Sequence, residues 1–272
     1  MRPRSQFITI LGILVPAVLV GACHKDEGAT KSGQPRLLLY CGAGIRPPVT
    51  ELAEVYAREK GVQVDVDFAG SEMLLSKLKL SRRGDLYMPG DQHYTDQAAA
   101  EGLVLSRATV CYFVPTILVR KGNPKRIAGL RDLLREDVKL GLGDDKACAV
   151  GRTTRRIFEQ MGIPWAEVGK HTEFSSLTVN ELGLQVQTGA LDAAIVWDAV
   201  ARYCPEACEE VPIPPQQNIV STVDVASLSF SGHRDLAEQF VRFAASEQGR
   251  AIFARHHYRV DPPTSQAAEE PR

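Results

Sequence analysis

Three observations predict an α/β architecture with mostly parallel sheets. From Pro35 onward, short apolar or alternating runs take turns with stretches that carry an apolar stripe at helical spacing. Where such a run meets the next helical stretch, glycine, alanine and hydroxyl residues gather. With 272 residues, 44% hydrophobic and 24% charged, the chain has ordinary globular composition and length for one large domain or two small ones. Strands that alternate with helices place helices on both faces of a parallel sheet.

The elements follow in order. Residues 36–41 read as a strand. A helix opened by Pro47 and Pro48 carries the stripe Val49, Leu52, Val55 and Tyr56 and stops at Gly61. Prolines suit a first turn, where the N–H they lack has no acceptor within the helix. Val62, Val64, Val66 and Phe68 alternate as a strand, which completes one β-α-β unit. Next come a helix over 71–80, a short strand over 85–88, a helix near 94–101 and one long apolar strand over 110–119. After Gly122-Asn123-Pro124 the pattern restarts: strand 138–142, helix 153–161, strand 173–175, helix 179–187 and strand 193–197. Beyond Pro212, Pro214 and Pro215 lie a strand over 220–228, a helix over 235–245 with Leu236, Phe240 and Phe243 inward, and a polar tail.

The first residues, "MRPRSQFITILGILVPAVLVGAC", join two arginines to an apolar run broken by Gly12 and Pro16. The run is too short and interrupted for a spanning helix, so 1–22 is expected to be a secretory signal. Val20-Gly21-Ala22-Cys23 resembles a bacterial lipobox, which implies cleavage before Cys23 and lipidation of its thiol. A plain secretory signal and an uncleaved anchor are the alternatives. The polar residues up to 35 then form a tether, 23–35. The formal charge is −1, and loss of Arg2 and Arg4 leaves −3, which argues against a nucleic-acid partner.

Besides Cys23 there are five cysteines, an odd number for an exported chain. Cys204-Pro-Glu-Ala-Cys208 is the most plausible local disulfide; the same spacing also fits two unrelated buried thiols. Cys41 and Cys148 both fall in strand-to-helix loops. They are read either as a facing pair, bonded or binding a thiophilic species, or as small buried residues.

Four junctions share one design: Cys41-Gly42-Ala43-Gly44, Ala69-Gly70-Ser71, Cys148-Ala149-Val150-Gly151 and Thr178-Val179-Asn180-Glu181. In a doubly wound sheet these helix starts gather at the carboxyl ends of the strands. A helix start carries free N–H groups and partial positive charge, so several aimed at one point hold an anion without a cation. Each hydrogen bond to a charged group is worth about 1.5–3 kcal/mol, so five or six supply roughly 10 kcal/mol before ordering costs. Taken singly, each junction also reads as a cap: Ser71 as an N-cap, Thr178 with Glu181 as a capping box.

Four stretches, "YCGAGIRPPVTELAEVYAREKGVQVDVDFAGSEMLLSKL", "GDLYMPGD", "TVNELGLQVQTGALDAAIVWDA" and "FVRFAASEQGRAIFARHHY", resemble the periplasmic molybdate-binding proteins of ABC transporters, in the type II solute-binding superfamily. The resemblance spans 37–258. It implies a two-lobed periplasmic-binding-protein type II fold, each lobe a mostly parallel sheet flanked by helices. Lobe one would be 36–115 plus 224–260 and lobe two 116–223, with crossing strands near 113–119 and 220–225 and a disordered tail over 261–272. It further implies a monomer that binds a tetrahedral oxyanion, molybdate or tungstate, with no cofactor and no directly bound metal, and that partners an ABC permease. The chain would then work outside the cytoplasmic membrane, held by its lipid.

By position, Ser71 matches the family's second-loop serine, Ala149 its lobe-two loop and Val179 its helix-start amide. Gly44 stands where the family has a serine, and Trp197 where it has a tyrosine. Ala43, Cys148, Asn180 and Asp198 neighbour these positions and complete the expected ligand set with Arg46, which either adds positive charge or is a surface arginine. Asn180 reads equally as an exposed helix residue, and Asp85, Asp91 and Asp198 as caps or loop supports. An enzyme is the competing class, but Ser71 has no histidine partner in sequence, and neither metal spacing among the histidines nor a phosphate-binding lysine loop is present. A receptor or sensor of the same fold for another anion or a thiophilic ligand is the third reading.

Overall fold

The computed structural model describes residues 34–263. The signal sequence, Cys23 and most of the tether therefore lie outside the described residues, as does the tail beyond 263.

The chain runs β1 (Arg36–Gly42), α1 (Arg46–Lys60), β2 (Gln63–Ala69), α2 (Ser71–Ser81), β3 (Leu86–Met88), α3 (Gln92–Ala100) and β4 (Val104–Phe113). It continues through β5 (Pro115–Arg120), β6 (Leu140–Gly143), α4 (Ala149–Gln160), α5 (Trp165–His171), β7 (Thr172–Ser176), α6 (Val179–Gln187), β8 (Ala193–Trp197), α7 (Asp198–Ala201) and β9 (Cys208–Pro212). It closes with β10 (Ser221–Leu228), α8 (Arg234–Ala245) and α9 (Glu247–Arg255).

Two five-stranded sheets result, ordered β2-β1-β3-β10-β4 and β7-β6-β8-β5-β9. In each, three adjacent strands pair in parallel, as the β-α-β pattern requires, a fourth at the edge points the same way, and one strand, β10 or β5, runs antiparallel between its two neighbours. The sheets are the cores of two lobes. The chain passes from the first to the second at Val114 and returns between β9 and β10.

Burial follows the sequence stripe. Val49, Leu52 and Tyr56 of α1 are fully covered, and Tyr56 meets Phe240 of α8 edge-on at 5.0 Å. Phe240 and Phe243 face inward as expected, while Leu236 is only partly buried.

The long strand expected over 110–119 is two strands in two different sheets, parted at Val114. Pro115 brings no N–H to the ladder, and both sheets bury apolar residues, so the hydrophobic run continues unbroken while the pairing partner changes. Strand β9 and helices α5 and α9 also lacked a clear pattern. Ser246 opens α9 by accepting a hydrogen bond from Gly249 N at 3.2 Å.

Cys204 and Cys208 are not bonded. All five described cysteines are free, buried thiols. The turn between these two is closed instead by the amides of Ala207 and Cys208, which donate to Cys204 O at 3.0 and 2.8 Å.

Candidate functional site

The four junctions meet at one small cavity. It is lined by Gly42, Ala43 and Gly44 ahead of α1, Gly70 and Ser71 at α2, Cys148, Ala149 and Val150 at α4, and Thr178 and Val179 at α6, with Trp197 and Phe113. The space open to the centre of a water-sized sphere is about 20 Å³. One water needs about 10–15 Å³ on that measure, so the closed cavity suits a single small ion.

Two caps differ from expectation. Gly70, not Ser71, is the N-cap of α2, and Ser71 is its first residue. Thr178 makes no side-chain cap to α6; Glu181 instead meets the Ser176 hydroxyl at 2.5 Å, and Ser176 Oγ accepts from Thr178 N at 3.1 Å. Both differences matter in the same direction. Helix α4 likewise begins at Ala149, four residues before the predicted start. First-turn amides have no acceptor within their helix, and those of Ser71, Ala149 and Val179 make no loop or cap hydrogen bond among the described residues.

Ser71 is buried, and its Oγ accepts from Gly90 N at 3.1 Å. That bond uses a lone pair and leaves the hydroxyl proton to donate. No charged side chain lines the cavity. Burial pushes the Cys148 thiol up to about 11, opposed by the Gly151 and Val150 amides, so at neutral pH it is a protonated wall residue.

At the wall between lobes, Trp197 is buried and stacks on Phe113 with centroids 4.7 Å apart. A Cβ on Gly44 would lie 2.9 Å from Val179 Cγ1 and 3.3 Å from Trp197 Cδ1. A Cβ on Gly70 would lie 2.7 Å from Leu177 O. Bare backbone at these two positions is what lets the lobes approach so closely.

A family model described as bacterial extracellular solute-binding protein matches residues 37–259. The chain belongs to this family. A Haemophilus influenzae protein described as a binding protein is 29% identical over 220 residues, 80% of this solute-binding protein and 88% of the relative. The molybdate-binding protein ModA of Mycobacterium tuberculosis is 28% identical over 251 residues, 88% and 93% of the two chains. Among solved structures, the periplasmic molybdate-binding protein of Azotobacter vinelandii aligns with a TM-score of 0.70 at 14% identity, covering 83% of this chain and all of the other. The sulfate-binding protein SubI of M. tuberculosis aligns at 0.71 with 18% identity, covering 86% and 89%. These likenesses establish the two-lobed fold.

Three expected ligand residues of this solute-binding protein lie away from the cavity lining. Arg46 is exposed, its guanidinium 4.1 Å above the Phe68 ring. Asn180 is half-buried, with an Oδ1 that has no hydrogen-bond partner among the described residues. Asp198 supports the crossing: its N–H donates to Val114 O at 2.9 Å, and its carboxylate accepts from Arg259 Nε at 2.9 Å. The thiol pair is also not formed. Cys41 turns into the first lobe and donates to Gly42 O at 3.6 Å, because alternation along β1 sends its side chain away from the loop.

Four contributors carried no local signal: Gly90, Phe113, Tyr258 and the cross-lobe cluster at Asp91. Asp91 caps α3 by accepting from His93 N at 2.7 Å. Its Oδ2 accepts from Ser221 Oγ at 2.7 Å and Thr153 Oγ1 at 3.4 Å, and Thr153 belongs to α4 of the second lobe. This buried cluster joins the two lobes.

Proposed function

We propose that this solute-binding protein is a lipid-anchored receptor that closes on a tetrahedral oxyanion, molybdate or tungstate, and hands it to an ABC permease in the cytoplasmic membrane. The observation that carries the reading is the cavity itself: helix starts from both lobes and a buried serine hydroxyl around space for one small ion, with no charged side chain in the wall. Amides of Ser71, Ala149 and Val179 and the Ser71 hydroxyl supply the donors; Ala43, Gly44, Cys148 and Trp197 shape the wall. Each lobe contributes donors, so the ligand favours the closed state by a population shift. The ModA relatives support molybdate in particular.

Binding and release, without turnover, is the activity this donor set supports. Lipidation at Cys23 belongs to the same proposal, as do two lobes that exchange chain at Val114 and again before Ser221, rather than at 115 and 223; among the described residues no helix is long and apolar enough to cross a membrane. The mass of the mature N-terminal peptide tests the anchor.

Sulfate is the second reading, favoured by the likeness to SubI. Isothermal titration of the full chain in detergent with molybdate, tungstate, sulfate and phosphate separates the two. Tight binding of molybdate or tungstate that weakens about tenfold or more in Ser71→Ala, the loss of one charged hydrogen bond, supports the proposal. Preference for sulfate supports the alternative, and binding of none overturns both.

A further inference from the structure

Gly44 faces Trp197 across the cleft. Gly44 sits in the loop after β1 of the first sheet, whereas Val179 and Trp197 belong to the second lobe. Both approach the place where a side chain at 44 would be, at 2.9 Å for Val179 Cγ1, 3.3 Å for Trp197 Cδ1 and 3.5 Å for Trp197 Nε1. A Cβ essentially never tolerates a neighbour under 3.0 Å, and valine is stiff about χ1, so Val179 cannot swing aside cheaply. Phe113, at the end of β4, stacks on the indole and fixes its plane. Trp197 lines the cavity, and its indole N–H is a donor only.

We propose that Gly44, Val179 and Trp197 form one selectivity element: the bare backbone at 44 sets how far the lobes close, and the indole N–H seated there donates to the bound anion. The proposal rests on the oxyanion reading for the donor and stands independently of it for the closure. Its consequence is a defined cavity size. A side chain at 44 holds the lobes apart by more than a hydrogen bond tolerates, and donors from one lobe then lose the ligand.

The test uses the full chain in detergent with molybdate as the probe, in a Trp165→Phe background where Trp197 is the sole tryptophan, since the chain has two. Titration calorimetry is read on Gly44→Ala, Val179→Ala, the double variant and Trp197→Phe, and acrylamide quenching of Trp197 emission on the first three. Gly44→Ala is expected to weaken binding at least tenfold and to make Trp197 more quenchable. Val179→Ala alone serves as the reference for the cycle, and the double variant should regain most of the affinity lost in Gly44→Ala, because the tightest contact is gone. Trp197→Phe keeps an aromatic ring and removes the N–H; it should lose about tenfold in affinity while still melting cooperatively, at a somewhat lower temperature.

Unaltered affinity in Gly44→Ala, or no recovery in the double variant, overturns the closure claim. Unaltered affinity in Trp197→Phe overturns the donor. If the parent binds no oxyanion, the ligand reading fails by itself, and quenching alone decides the closure: greater quenching in Gly44→Ala reversed by Val179→Ala supports it, and equal curves overturn it.

Discussion

The hydroxyl of Tyr258 donates to the carbonyl oxygen of Gly44, a contact that spans 214 residues of chain. Tyr258 in turn accepts from Tyr203, whose oxygen lies 2.6 Å away. The next residue, Arg259, pairs with Asp198, the residue that follows Trp197. Two consecutive residues near the end of the described chain therefore brace both sides of the wall where the lobes meet. Tyr258→Phe leaves the Gly44 carbonyl and the Tyr203 hydroxyl without this partner. It should cost about 1–3 kcal/mol of stability in urea unfolding and weaken ligand binding; an unchanged unfolding midpoint contradicts the bracing role.

Arg259→Ala tests the other half. The Asp198 side chain is 3% exposed and that of Arg259 49%, so the substitution leaves a buried carboxylate to be held by backbone amides alone. Solvent at the arginine reduces the loss below that of a fully buried pair, to about 1–3 kcal/mol. Asp198→Asn, which keeps the shape and removes the charge, should lose less than Asp198→Ala in the same urea assay.

The cluster of Asp91, Thr153 and Ser221 predicts a closure effect separable from the cavity. Thr153→Val removes a hydroxyl that reaches Asp91 at 3.4 Å and Ser221 at 3.2 Å across the cleft. Small-angle scattering with saturating ligand should show a smaller closed fraction than the parent, and affinity should fall a few-fold, about 1 kcal/mol for one such bond. Equal scattering curves and affinities place the cluster outside the closing step.

Thiol chemistry provides a third line. Burial raises Cys148 to about 11 and Cys208 to about 12, and pushes Cys41 and Cys111 well above the ordinary thiol range. The reactive thiolate is therefore scarce in the folded chain at pH 8. Peptide mass spectrometry after brief iodoacetamide treatment should find Cys41, Cys111 and Cys148 unlabelled in the native protein and labelled in denaturant. Native labelling at the denatured rate contradicts this packing.

Glu51 supplies a pH dependence. A hydrogen bond from Arg255, opposed by partial burial and aided by His256, holds its carboxyl below the ordinary 4.5. A depressed folded value means that the unfolded state binds the proton more readily, so the pair's stabilisation is whole above about pH 4.5 and is lost as pH falls through the lower folded value. The gap in stability between the parent and Glu51→Gln should be at most about 1 kcal/mol at pH 7 for so exposed a pair. It should close below pH 4 and shrink in high salt; a gap independent of pH rules the linkage out.

Much of the fold was legible because its signals are local. The α1 stripe, the Pro47-Pro48 opening and the limits of α6 and β8 follow from side-chain periodicity and backbone chemistry within a few residues. The break at Val114 was invisible to the same reasoning, since hydrophobicity records that a strand is buried and not which sheet buries it. The cap at Ser71 was misplaced by one residue, and Thr178 holds the N-cap position without the expected side-chain bond, because a hydroxyl has several possible partners nearby and only the approach of Gly90 and Ser176 selects among them.

By itself the amino-acid order determined an α/β chain with four helix starts fit for an anion, because small residues at strand ends and stripes in helices act over single turns. Tertiary structure alone decided that Arg46, Asn180 and Asp198 leave the cavity wall, that Cys41 and Cys148 do not pair, and that Gly44 faces Val179 and Trp197. Those outcomes depend on how two lobes close against each other. The contacts that close them join residues far apart in the chain, whose meeting no local pattern encodes.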